Sequence, residues 1–134
     1  MAETFRLEIA TPERLLFQEE VQEAQIPAAN GYLGILPEHA PLMAELGTGE
    51  LAIRVQSRTL YMAVSGGWVE VLPDRVRVLA TVAENAADID VARAQEALKR
   101  AQGRLAHPEA GIDIARALNA MKRAQARLAA ASHK

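Results

Sequence analysis

RVRVLATVAENAADIDVARAQEALKRAQGRL, residues 75–105, changes period partway along. At its start Val76 and Val78 alternate with Arg75 and Arg77. Successive side chains on a strand point to opposite faces, so a step of two predicts a half-buried strand. After about Glu84 alanine dominates, and apolar residues recur with a helical step of 3.6. The chain therefore holds two kinds of structure, with the boundary expected between residues 84 and 85.

Upstream of the boundary the step of two recurs. Leu7 and Ile9 alternate with Arg6 and Glu8, and Leu51, Ile53 and Val55 with Ala52 and Arg54, while Leu60, Met62 and Val64 form a further set. Turn residues punctuate these runs at Asn30-Gly31, Gly47-Thr48-Gly49, Gly66-Gly67 and Pro73-Asp74. Five of the six prolines lie here, which disfavours long helices. Short antiparallel strands at this spacing predict that residues 1–84 close into a β-sandwich or flattened barrel.

Downstream, IDVARAQEALKRAQGRL (89–105) is nearly repeated as IDIARALNAMKRAQARL (112–128). Asp88 precedes the first copy and Asp90 falls in its expected first turn, which suits a helix N-terminus. Ala94, Ala97, Leu98, Ala101 and Leu105 fall on one stripe, and Ala117, Ala120, Met121, Ala124 and Leu128 on its counterpart. Pro108 and Gly111 supply a break and a hinge between the copies. Residues 85–134 are thus expected to form an antiparallel helical hairpin, and the fold class is α+β. Alanine stripes let helices approach closely but bury little apolar area, so such a hairpin depends on its neighbours and can leave them.

The remaining composition narrows the function. The chain has 134 residues, half of them hydrophobic, enough for one packed core and an appendage. It has no cysteine, which removes disulfides, thiolate metal sites and cysteine nucleophiles. No run of about eighteen apolar residues suggests a membrane span, and MAETFRLEIA does not read as a secretory signal. Charge divides at the boundary. Residues 1–83 hold six basic and eleven acidic residues, and residues 84–134 hold nine basic and six acidic. The two parts offer different surfaces to different partners.

Arg93, Arg100 and Arg104 lie within about 40° of helical arc, and Arg116, Arg123 and Arg127 repeat that spacing. Each helix therefore carries an arginine stripe beside its alanine stripe. The plain interpretation is a solvated face, with Glu96 and Asp113 able to pair locally. Yet the arginines outnumber these acids, and clustered guanidinium groups repel unless an anion lies among them. Arginine grips phosphate oxygens with two parallel hydrogen bonds. An antiparallel hairpin would bring Asp90 and Arg93 near Arg123 and Arg127. A nucleotide between the helices is one expectation, and an acidic partner surface is the other. Neither GxxxxGK[ST] nor GxGxxG occurs. No nucleophile with its base and no metal-binding acid cluster is evident, so no catalytic residue, no metal and no enzyme activity is expected.

GYLGILPEHAPLMAEL (31–46) and AVSGGWVEVLPDRVRVLA (63–80) resemble signature stretches of the epsilon subunits of F-type ATP synthases, and the order of β half and helical hairpin matches as well. The resemblance implies a non-catalytic rotor subunit that couples proton flow to ATP synthesis. Its partners would be the gamma subunit, the ring of membrane c subunits, and the beta (and alpha) subunits of the catalytic head, with no nucleic acid. It would sit peripherally on the cytoplasmic face of the bacterial plasma membrane. The hairpin would fold against the sandwich or rise along gamma and oppose ATP hydrolysis. Some bacterial members bind ATP in the folded state through [IL]-D-x-x-R-A, matched here by Ile89, Asp90, Arg93 and Ala94. Further contacts of that kind fall on Glu84, Arg100, Arg123 and Arg127. ATP would then be a regulatory ligand that is not turned over. The rival function is a free-standing adaptor or nucleic-acid-binding module docking through the arginine hairpin.

Other residues carry expectations of their own. His39, between two prolines, is expected to hold a loop or meet a partner, and Gly66-Gly67 to form a hairpin turn or bulge. Trp68 is either core or an exposed anchor. Tyr32 stands where some epsilon relatives carry an acid. His107 and His133 carry no role in this reading.

Overall fold

The computed structural model of the chain describes residues 3–107, 109 and 111–133. Eight strands come first: β1 (Phe5–Ala10), β2 (Leu15–Val21), β3 (Glu23–Ala28), β4 (Gly31–Ile35), β5 (Leu42–Glu45), β6 (Thr48–Val55), β7 (Arg58–Val71) and β8 (Arg75–Asn85). A single 3-10 turn, Ala86–Asp88, leads to α1 (Val91–Ala106) and α2 (Ile114–Ala131).

The strands form one folded sheet in the order β2-β1-β8-β7-β6-β3-β4, with β5 on the far half of β7. β2 passes to β3 through Gln22 alone, and the Gln22 amide donates to the Arg54 carbonyl at 2.8 Å. That bond ties the β2 end back to β6, toward the far side of the strand order. The inward residues of each alternating run fill the space inside the folded sheet. Leu7, Ile9, Leu51, Ile53, Met62, Val64, Val69 and Val78 are all essentially inaccessible to solvent. The expected antiparallel pairing holds at every junction except one: β1 and β8 run parallel, Leu7 beside Val76 and Ile9 beside Val78. The alternation that marks a half-buried strand carries no information about its direction.

Gly66 and Gly67 are not a hairpin turn. β7 runs unbroken through them and keeps its register with β8 on both sides. Both glycines have positive φ, 72° and 114°. Here the pairing of β7 passes from β6, whose Thr48 pairs with Ser65, to β5, whose Glu45 pairs with Trp68. A chain bending from one layer toward the other needs such a point, and glycine supplies it without a side-chain clash.

Both helices begin one residue later than a first-turn Asp90 requires. Asp90 is the residue before α1, and its carboxylate accepts a hydrogen bond from the Arg93 amide at 3.1 Å. Asp113 does the same for Arg116 before α2, at 3.0 Å. An aspartate at this position satisfies an amide that has no partner within the helix. The repeated Ile-Asp-x-x-Arg thus starts two helices in the same way. Gly111, with φ of 89°, lies in the turn between them, and Pro108 lies outside the described residues.

α1 rides chiefly on α2, which itself rests on β6 and β7. The alanine stripes meet as expected, with Ala94, Ala101, Ala117 and Ala124 buried. A second buried face on α2, Ala126, Ala130 and Ala131, packs near Ala63, Tyr61, Ile89 and Val91. On the outward face of the sheet Ala52 stands opposite Tyr61, and Glu50 opposite Ala63. The small residues on both sides let the helix lie close to the strands.

Candidate anion-binding site

A cavity of about 370 Å³ opens between the hairpin and the sheet. Its floor is the stretch Ala63–Ser65 of β7 with Val82 and Glu84 of β8. Ala97 and Ala101 of α1 and Ala120 of α2 are the small residues that leave the space. Arg100 and Arg104 reach it from α1, and Arg123 and Arg127 from α2. Four guanidinium groups and one carboxylate therefore line a single chamber, within the volume range of ordinary ligand sites.

Their electrostatic states differ. Arg127 is held by Glu84, with Nε 2.7 Å from Oε1 and Nη2 donating to Oε2 at 3.3 Å. Both side chains are about three-quarters shielded from water, so this two-point contact ties α2 to the end of β8. Among the described residues, Arg100, Arg104 and Arg123 have no acidic partner within 4.0 Å. The expected local pairings of Glu96 and Asp113 are not made among those residues, and Asp113 caps its helix instead. Three uncompensated guanidinium groups around one chamber make it a place of positive potential, suited to a polyanion.

Of the eight residues expected at a nucleotide site, Glu84, Arg100, Arg123 and Arg127 line this cavity. Ile89, Asp90, Arg93 and Ala94 do not. Ile89 and Ala94 are buried in the packing at the start of α1, while Asp90 and Arg93 are exposed there. The expected gathering of Asp90 and Arg93 with Arg123 and Arg127 is not made. Asp90 caps α1 through the Arg93 amide, one turn or more along the helix from Arg100, and neither Asp90 nor Arg93 lines the cavity that holds Arg123 and Arg127. Arg104 and Ser65 are the additions. Arg104 shares the Arg100 stripe and was within reach of helix geometry, but Ser65 carried no signal beyond its place in a strand.

The remaining polar residues stand apart. His39 Nδ1 lies 2.7 Å from the Ala40 carbonyl, which fits a loop-holding role. Trp68 is half exposed, so it is not core. Tyr32 is exposed along its ring, and its hydroxyl donates to the Glu50 carbonyl at 2.9 Å. Burial of that hydroxyl raises its pKa above that of an ordinary phenol, and the Glu50 carboxylate adds to the shift. Among the described residues no cluster of His, Asp or Glu is placed to hold a metal ion, and no helix is long and apolar enough to cross a membrane.

A flattened β-sandwich bearing an arginine-lined helical hairpin defines a small class of proteins. Residues 4–86 match the family model for the beta-sandwich domain of the ATP synthase delta/epsilon chain, and residues 87–132 match its long alpha-helix domain. The chain belongs to this family. It is 53% identical over 105 residues to an ATP synthase epsilon chain of Koribacter versatilis, covering 78% of this chain and 74% of that one. To the epsilon chain of Solibacter usitatus it is 53% identical over 108 residues, 81% of each. Its fold is also that of a chain in the mitochondrial ATP synthase of Euglena gracilis, solved with OSCP, F1 and c-ring. The TM-score there is 0.84 at 22% identity, covering 97% of this chain and 82% of that one. The family places the chain among non-catalytic subunits of ATP synthase and favours that role over a free-standing adaptor.

Proposed function

We propose that the chain is the rotor epsilon subunit of a bacterial F-type ATP synthase, and that its hairpin is an ATP-sensitive brake on hydrolysis. The β-sandwich binds the gamma subunit and the c ring, on the cytoplasmic face of the plasma membrane. The hairpin, when raised, meets the beta and alpha subunits of the head. The observation that carries the sensor is the chamber itself. Arg100, Arg104 and Arg123 converge on it without acidic partners among the described residues, and Arg127 joins them through Glu84.

The chamber exists only while α1, α2 and β8 lie together, because each supplies part of its wall. A triphosphate gripped by guanidinium groups from both helices stabilises that closed arrangement by its differential affinity for it. Glu84 can accept a hydrogen bond from a base amine or sugar hydroxyl, and in doing so it would share or surrender Arg127. When ATP falls, the closed state loses this stabilisation and the hairpin rises. The arginines that gripped phosphate then face acidic surfaces of the head.

Hydrolysis by the assembled synthase tests the proposal. With this chain the inhibition should deepen as ATP is lowered. With an Arg100→Ala, Arg123→Ala chain it should stay deep at ATP concentrations that relieve the parent. Inhibition independent of ATP in both assemblies would contradict the sensor.

A further inference from the structure

The far end of α2 carries a contact that the cavity does not use. The ring of His133 stacks on Tyr61 of β7, with centroids 3.6 Å apart and planes within 9°. Its Nε2 lies 3.2 Å from Oε2 of Glu50 on β6. Glu50 is itself positioned from behind, since its carbonyl accepts the Tyr32 hydroxyl of β4 at 2.9 Å. The tail is turned to make this reach: the Ser132 hydroxyl donates to the Ala129 carbonyl at 2.6 Å, and the His133 amide to the Ala130 carbonyl at 3.2 Å.

Elsewhere the face that α2 offers is alanine, Ala126, Ala130 and Ala131, in a cluster with Ala63 and Ile89. Such side chains lose little area each, so that interface is thin for its length. An aromatic stack with a charged or hydrogen-bonded edge is a larger contribution than any alanine beside it. Glu50 and Tyr61 lie diagonally on the outward face of adjacent strands, so the pair forms a two-point receptor for one imidazole.

We propose that His133 is a latch: by seating on Tyr61 and Glu50 it holds the end of the hairpin against the sandwich and sets how readily the hairpin leaves. The latch rests on the reading that the hairpin can leave, and it is independent of any nucleotide. Tyr61, Glu50 and His133 do not line the cavity, whose floor lies further along β7, at Ala63–Ser65, and on β8. Release therefore requires two separate contacts to part, the Glu84–Arg127 pair and the His133 seat.

The test uses the full chain, which has no cysteine of its own, with spin labels at Ser57→Cys and Gln125→Cys. Without nucleotide, His133→Ala should raise the population at long distance by about two- to tenfold, the range expected for loss of one aromatic pair. His133→Phe keeps the stack and should restore most of the short distance, and Glu50→Gln should fall between. An unchanged distribution in His133→Ala, or a His133→Phe chain as open as His133→Ala, overturns the latch. Amide exchange at Ala129–His133 in the unlabelled chain gives a second readout: faster exchange in His133→Ala supports the latch, and equal exchange opposes it. Addition of ATP separates the two proposals. If His133→Ala opens the hairpin while ATP leaves both chains unmoved, the latch stands and the nucleotide sensor alone fails.

Discussion

Replacing Gly67 with alanine should damage the sandwich far more than the same change at Gly66. At Gly67, φ is 114°, a region that residues with a side chain rarely adopt. A Cβ there would collide with the carbonyl oxygen of Leu79 on β8. That oxygen is backbone, so relief requires β7 and β8 to separate where Gly67 pairs with Ala80 and Trp68 with Leu79. Backbone strain of about 1–3 kcal/mol and one or two weakened ladder bonds at about 1 kcal/mol each give about 2–5 kcal/mol, with a midpoint of about 3.5 kcal/mol. At Gly66, φ is 72° and the nearest obstacle is the Thr81 hydroxyl at 3.2 Å, which can rotate away. Only the left-handed cost of about 1 kcal/mol applies there. A domain of this size loses about 4–8 °C in melting temperature per kcal/mol. Thermal unfolding followed by circular dichroism should therefore drop by about 15 °C or more for Gly67→Ala and by about 4–8 °C for Gly66→Ala. Equal melting of the two variants would contradict this difference, because the β7–β8 approach and the φ of 114° at Gly67 both set it apart from Gly66.

Other perturbations follow from the same contacts. Asp113→Ala removes the amide partner at the start of α2 and should cost about 1 kcal/mol of helix stability, read as faster exchange of the first-turn amides, with Asp113→Asn largely sparing it. Ala130, fully buried on the sheet, should not tolerate leucine: overpacking by about 1–3 kcal/mol should lift α2 while leaving the melting of the sandwich unchanged. The Tyr32 hydroxyl, raised by burial, should ionise in an alkaline absorbance titration at higher pH than a model phenol. Its neutral form is the one the fold favours. The stability it contributes is complete below the unfolded phenol's pKa and is lost as pH rises through the folded value, a loss that Tyr32→Phe should abolish.

The sequence made some of this legible for identifiable reasons. Each run of alternating residues became a strand because one face had a core to meet, and the repeated Ile-Asp-x-x-Arg became two helix starts because an aspartate there has one local partner. Strand direction at β1 and β8 left no mark, since alternation is the same in both directions. Gly66-Gly67 reads as a hairpin turn or a bulge because local chemistry cannot tell a turn from an irregularity inside a long strand, and the hairpin turn is the alternative the structure removes. At the site, helix geometry gave the stripes Arg93, Arg100, Arg104 and Arg116, Arg123, Arg127, of which Arg100, Arg104, Arg123 and Arg127 line the cavity. Angle around a helix is periodic and does not say how far along its axis a cavity extends, so Arg93, a stripe-mate of Arg100 about two turns away, was not separated from it. The second face of α2, Ala126 and Ala130, was hidden among so many alanines. His133 gave no signal at all, because Tyr61 and Glu50 lie far from it along the chain and meet it only after α2 is docked.

The most direct test of the central claim is a calorimetric titration of the full chain with ATP and with ADP, beside the Arg100→Ala, Arg123→Ala chain. Saturable binding of ATP is expected between micromolar and millimolar, about −8 to −4 kcal/mol, weaker for ADP and lost in the variant. Absence of heat up to several millimolar ATP, or equal binding by the variant, would contradict the arginine-lined sensor.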